Sequence, residues 1–329
     1  MKLFLLLGAM LLTTPLLAID FTGLMKDDLS PKKIVYKTVG NEPISLNVFL
    51  PSDWKPGDKR PAAVWIHGGA WVAGDAQGFF PQARYFANRG MVGVSLDYRL
   101  LGKDATHLRD CISDCKSAIR YLRQHAAELG IDPQRIAVLG DSAGGHLAAC
   151  LALVDGCDDP QDDLTFSPAP NAMVLCNGVL DLTGPKWIHY AIGGEAVKKN
   201  SPESLAAPTA EDEANAQKVS PLYLVKAGLP PTLVMQGLED KIVEPQQATH
   251  FTDKMKAAGN RCDLVLIEHA RHAFICVKYT ASEADVVEQM KTIDRYLASL
   301  GYITGAPTLE LSPTPAWEAK GKPKAPTKP

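Results

Sequence analysis

Ile136-Ala137-Val138-Leu139-Gly140-Asp141-Ser142-Ala143-Gly144-Gly145-His146-Leu147-Ala148-Ala149-Cys150-Leu151 decides the reading of this chain. Its first four residues are apolar at every position, as a strand covered on both faces requires. The last seven suit a helix. Between them sits Gly-x-Ser-x-Gly, in the strand–tight turn–helix setting that lifts a serine hydroxyl above a sheet edge. Glycines flank Ser142 because the strained turn leaves no room beside it, and the helix start favours developing negative charge. Ser142 is therefore a candidate nucleophile. A glycine-rich turn without chemistry is the bland alternative.

Working outward, similar short apolar runs recur at 62–66, 91–96, 172–175, 233–235 and 264–267. Helical patterns lie between them. Arg109–Ala127 carries the apolar stripe Ile112, Cys115, Ile119 and Leu122. Gln246–Ala258 stops at Gly259. A last helix bears Val286, Met290, Ile293 and Leu297 and opens at Ser282-Glu283-Ala284-Asp285, which reads as a capping box. This alternation predicts an α/β fold, a mostly parallel sheet with helices on both faces. Ile34–Lys37 and Ile44–Leu50 read as a hairpin on an antiparallel edge. From Thr183 to Gly228 no clean strand occurs, and that stretch is expected to be a cap over the site.

A serine needs a base, and the base needs an orienting carboxylate. After the run 233–235 come Glu239 and Asp240. Asp240 is preferred because it completes Gly-x-x-Asp-x-x-Val, with Glu239 as its rival. After 264–267 come His269 and His272. His272 lies further along the loop and is the better base, while His269 suits a structural role. Directly after 62–66 stands His67-Gly68-Gly69-Ala70-Trp71. The amides of Gly68 and Gly69, with that of Ala143, can point at an oxyanion without side chains in the way. His67 is expected to hold this loop. Trp71 is expected as a substrate-binding pocket wall, with core filling as the alternative.

These stretches, with Asp97-Tyr98-Arg99-Leu100 and Asp114-Cys115-Lys116, resemble the bacterial acetyl-esterase/lipase group over residues 33 to 300. That group is related to hormone-sensitive-lipase-like esterases and includes feruloyl and acetylxylan esterases. The resemblance implies the α/β-hydrolase fold and a Ser142–Asp240–His272 triad. It also implies a small-molecule or oligosaccharide ester as substrate and no cofactor. The chain departs from the hormone-sensitive-lipase branch at Ala70-Trp71, where that branch has a further glycine. An aromatic here also resembles kynurenine formamidases, so an amide substrate stays open beside an ester. A non-catalytic binding module on the same fold is the remaining alternative.

Composition narrows the class. The 329 residues are 46% hydrophobic with a net charge of −3, enough for one large domain and without the basic footprint of nucleic-acid binding. Lys2, the apolar stretch 3–12 and Leu16-Leu17-Ala18 read as a secretory leader over 1–18, too short for a comfortable membrane span. An uncleaved anchor or a buried terminal helix would be the alternatives. The leader makes the mature protein secreted or periplasmic, with no membrane span. The hydrolase domain is then 19–305, and the tail 306–329, rich in proline and lysine, is expected to be disordered. Seven cysteines leave at least one thiol unpaired; any disulfide would sooner join Cys150 or Cys157 to a distant partner, and sequence does not choose the pairing. No pair of Cys or His residues has metal-ligand spacing, so no structural metal is expected.

Overall fold

The computed structural model describes residues 19–24, 30–193, 207–276 and 279–311. The described residues form ten strands, β1 (Ile19–Asp20), β2 (Lys32–Val39), β3 (Glu42–Phe49), β4 (Arg60–Ile66), β5 (Val92–Leu96), β6 (Ile131–Asp141), β7 (Ala172–Cys176), β8 (Thr232–Gly237), β9 (Cys262–Ile267) and β10 (Leu309–Glu310). Eight of them form one sheet in the order β2-β3-β5-β4-β6-β7-β8-β9. From β5 to β9 every neighbour is parallel. The predicted hairpin supplies the antiparallel edge, turning at Gly40 with φ 61°.

The apolar runs become the central strands because both faces are covered. β5, β7 and β8 are buried at every position. One face carries the helices Leu108–Gln124, Ala143–Leu153 and Pro245–Ala257, among them Cys115, Ile119, Leu147 and Phe251. The other carries Phe80–Asn88 and Glu283–Ser299, with Phe86, Met290 and Ile293. The Ser282–Asp285 capping box forms as expected, each residue's side chain bonding the other's amide.

The expected insertion contains no strand among its described residues. It holds a short helix at Ile188–Ile192, another at Ala210–Gln217, and a return through Val219 to Leu222, whose amide bonds Leu180. Residues 194–206 of the expected cap lie outside the described residues.

Two expectations are corrected. The domain does not stop at 305: Leu309 is fully buried, and Leu309–Glu310 pairs in parallel with Ile19–Asp20. Arg89, ion-paired with buried Asp294, also holds the carbonyls of Thr304 and Gly305. The leader 1–18 and the tail from 312 lie outside the described residues. No cysteine is bridged: all seven are free, and Cys150 is buried against His146 instead of reaching a distant thiol. Among the described residues no helix is long and apolar enough to cross a membrane.

Candidate active site

Ser142 stands between the end of β6 and the helix Ala143–Leu153, which it caps with φ 54° and ψ −118°. A non-glycine residue in that conformation is strained and persists only where its surroundings fix it. Here the Ser142 amide donates to Cys176 O at 2.9 Å, and the neighbours are packed to backbone contact. A Cβ on Gly140 would stand 2.2 Å from Gly144 O, and one on Gly144 would stand 2.0 Å from Ile66 O. No larger residue fits either place.

The loops after β8 and β9 bring the other two side chains to this turn. His272 Nε2 lies 2.9 Å from Ser142 Oγ, and His272 Nδ1 lies 2.8 Å from Asp240 Oδ2. All three residues are buried. With Asp240 accepting at Nδ1, the imidazole carries that proton and leaves Nε2 free to take one from the serine. The carboxylate is well held. Oδ1 accepts from the amides of Ile242 and Val243, and Oδ2 also accepts from Gln236 Nε2 at 3.1 Å. Burial pushes the Asp240 carboxyl up, but the His272 hydrogen bond and charge and the two amides outweigh it and hold it below the ordinary value. The rivals stand apart: exposed His269 pairs with exposed Glu239 at 3.2 Å, well away from the serine.

The loop after β4 passes over the turn. A Cβ on Gly68 would sit 3.2 Å from Ser142 Cβ and 3.0 Å from Asp141 O. Gly69, at φ 109°, has no room for a side chain either, since a Cβ there would be 2.1 Å from Ala73 O. Gly68 and Gly69 therefore lie bare beside the serine, and Ala143 opens its helix with an amide that has no intrahelical acceptor. His67 is structural, as expected. Its Nδ1 is 2.8 Å from Gly68 O, its ring stacks on Tyr98, and burial pushes its imidazole below the ordinary value.

Trp71 is a correction. It does not line the cavity beside Ser142 but is fully buried behind the loop, its indole N–H donating to His146 Nδ1 at 3.2 Å. With φ 61° at Trp71 the loop turns its side chain inward onto the helix. The wall is supplied by Trp187, which packs edge-on against Trp71, together with Phe79, Ile242 and Tyr279. The cavity measures about 560 Å³ and opens directly on Ser142 and His272.

Three further residues shape the site without having been singled out from the sequence. Gln236 braces Asp240. Asn177, at φ 36°, donates to Asp141 Oδ1 at 3.0 Å. Asp141 itself is pushed up to about 6, by burial first and by the Asp240 charge, against the pull of His272 and Asn177. Asn177 and Asp141 meet across neighbouring strands, so no local spacing announces them. Among the described residues no group of three His, Cys, Asp or Glu side chains could hold a metal ion.

A serine, an imidazole and a carboxylate in hydrogen-bonded series, beside bare loop amides, is an arrangement shared by many hydrolases. The family model described as BD-FAE matches residues 46–255. The chain belongs to the BD-FAE family. The probable carboxylic ester hydrolase LipM of Mycobacterium tuberculosis is 29% identical over 64% of this chain and 49% of its own length. Isoprenylcysteine alpha-carbonyl methylesterase ICME of Arabidopsis thaliana is 26% identical over 73% of this chain and 56% of its own. This member of the BD-FAE family thus spans about half the length of the curated relatives it matches. Among solved structures, esterase 2 of the planctomycete Thermogutta terrifontis with propionate bound is 37% identical. It superposes with a TM-score of 0.73 over 85% of this chain and 98% of that one. The same esterase phosphorylated by paraoxon gives 0.72 at 37% identity, over 84% and 96%. The α/β-hydrolase fold follows from this likeness and from the sheet described above.

Proposed function

We propose that the chain is a carboxylic ester hydrolase working through an acyl-enzyme on Ser142. The observation that carries this reading is the unbroken series from Asp240 through His272 to Ser142, opening on a cavity. In the reaction His272 Nε2 takes the Ser142 proton as Oγ attacks the ester carbonyl. The amides of Gly68, Gly69 and Ala143 receive the negative oxygen, and Asp240 steadies the imidazolium. His272 then gives its proton to the departing alcohol, and water repeats the sequence to release the acid.

The substrate proposed is an acetyl or feruloyl ester of a carbohydrate, met outside the cell after removal of a leader at 1–18. Support for a short acyl group comes from a cavity walled by Phe79 and Trp187, and from the propionate and butyrate bound to the Thermogutta esterase. A polar hollow of about 330 Å³ adjoins the cavity across His67, Gly74 and Asp75 and suits a hydroxyl-rich alcohol.

The test is released acid from acetyl, octanoyl, methyl ferulate and acetylated xylo-oligosaccharide esters, with acyl anilides alongside and fluorophosphonate labelling in parallel. Ser142→Ala is expected to lose turnover by several orders of magnitude and all labelling. Near-parental turnover in that variant would refute the assignment. Anilides hydrolysed faster than matched esters would move the reading to an amidase.

A further inference from the structure

The loop beside Ser142 is held in a conformation it cannot hold alone. Gly69, Ala70 and Trp71 run at φ 109°, 51° and 61° in succession. Two of these are not glycine, and each such residue costs on the order of 1–2 kcal/mol in the left-handed region. Inside the loop, only the amides of Val72 and Ala73 return to Gly69 O. The backbone is otherwise anchored by Leu101 N on Trp71 O, at 2.8 Å. Side chains tie it as well: His67 Nδ1 on Gly68 O and the Tyr98 hydroxyl on His67 O hold its start, and the Trp71 indole on His146 holds its far end.

His146 has no exposed surface and sits one helical turn beyond Ser142, its amide bonded to Ser142 O at 3.1 Å. Its two ring nitrogens have different partners. Nδ1 faces the Trp71 indole N–H, which can only donate; Nε2 faces Val219 O at 2.8 Å, which can only accept. The partners therefore dictate the tautomer: neutral, with the proton on Nε2. Burial keeps it neutral, pushing the imidazole down to about 4 against the Val219 bond. Cys150 Sγ, one further turn along, fills the space beside Nε2. Val219 belongs to the segment that brings the insertion back to the sheet, and Trp187 and Tyr190 of the insertion's first part pack on Trp71.

We infer that His146 is a positioning residue that fastens the oxyanion loop and the insertion to the nucleophile's helix, fixing where the Gly68 and Gly69 amides stand relative to Ser142. One imidazole accepts from the loop and donates to the cap's return segment, so a shift of either is felt by the other. This rests on the ester-hydrolase reading. Its chemical content is narrow: the tie matters only where charge develops on the substrate oxygen, so it acts on the transition state and not on ground-state binding.

Three variants test it. Trp71→Phe keeps the ring and removes only the donor. His146→Gln keeps one acceptor and one donor. His146→Leu removes both and leaves the Val219 carbonyl and the indole unpaired. The readouts are kcat and KM on an acetyl ester, and affinity for a trifluoromethyl ketone that forms an oxyanion on the serine. Trp71→Phe is expected to lower kcat about tenfold with KM within twofold, and ketone affinity should fall by the same factor as kcat/KM. His146→Gln is expected to stay within threefold of the parent, and adding it to Trp71→Phe should cost little more. A kcat loss below threefold in Trp71→Phe overturns the inference, even if His146→Leu fails to fold. Ketone affinity that does not follow kcat/KM overturns it too. A parent chain with neither ester turnover nor fluorophosphonate labelling sinks both readings, whereas turnover insensitive to Trp71→Phe sinks this one alone.

Discussion

Replacing Asp141 by asparagine isolates a charge that the fold keeps next to its nucleophile. Asp141 is 4% exposed, accepts one hydrogen bond from Asn177, and is raised from an ordinary 3.8 to about 6. Because the folded carboxyl holds its proton more tightly than the unfolded one, the folded state is favoured at low pH. That contribution is complete below about 3.8 and is lost as pH rises through about 6. At about 1.4 kcal/mol per tenfold change in proton affinity, the shift corresponds to about 3 kcal/mol. An asparagine of the same shape accepts the same bond from Asn177 and never ionises. Urea unfolding of the parent and Asp141→Asn at several pH values between 4.5 and 7.5 reads the effect directly. Part of that is already lost at pH 4.5, so the variant's stability relative to the parent is expected to grow by about 2 kcal/mol across that range, in the variant's favour at the alkaline end. Two profiles that run parallel, or a gap that widens towards acid, would refute the argument that burial governs this carboxyl.

His146 supplies the opposite slope. Lowered from 6.5 to about 4, it stabilises the fold fully above about 6.5 and loses that contribution as pH falls towards 4, so His146→Gln is expected to flatten the acid limb of the unfolding profile. Gly144→Ala brings a methyl group 2.0 Å from Ile66 O, and either insoluble expression or a melting temperature lower by 10 °C or more is expected. Gln236→Leu leaves Asp240 Oδ2 with one donor fewer; steady-state kinetics are expected to show kcat down about tenfold and KM little changed. Trp187→Ala opens the cavity wall, and an acyl chain-length series is expected to favour octanoyl over acetyl by at least fivefold more than the parent does.

What could be read from the residues was what they encode locally. The strand before Ser142, the glycines its turn demands and the helix after it lie within sixteen consecutive positions. Asp240 and His272 were separable from Glu239 and His269 by their offset from a strand end, and the rejected pair turns out to bond to itself at the surface. Trp71 was misplaced because the direction of a side chain in three successive left-handed residues has no signature in residue type. The helix Phe80–Asn88 opens with Pro81 in its first turn, where the missing amide costs nothing. Cysteine number left the pairing open, and in the fold all seven thiols are free. The braces Gln236, Asn177 and His146 depend on partners 4, 36 and 73 residues away. Only the assembled sheet brings most of those groups together.

The short pairing of Ile19–Asp20 with Leu309–Glu310 has a practical side. Each end of the domain is the other's strand partner, so trimming either one to tidy an expression clone strips the hydrogen bonds from both. Leu309, sealed in the core beside Phe86 and Ile293, would then face water. The same closeness lets a short peptide linker join the two ends, leaving an exposed loop elsewhere as the place to open the chain anew.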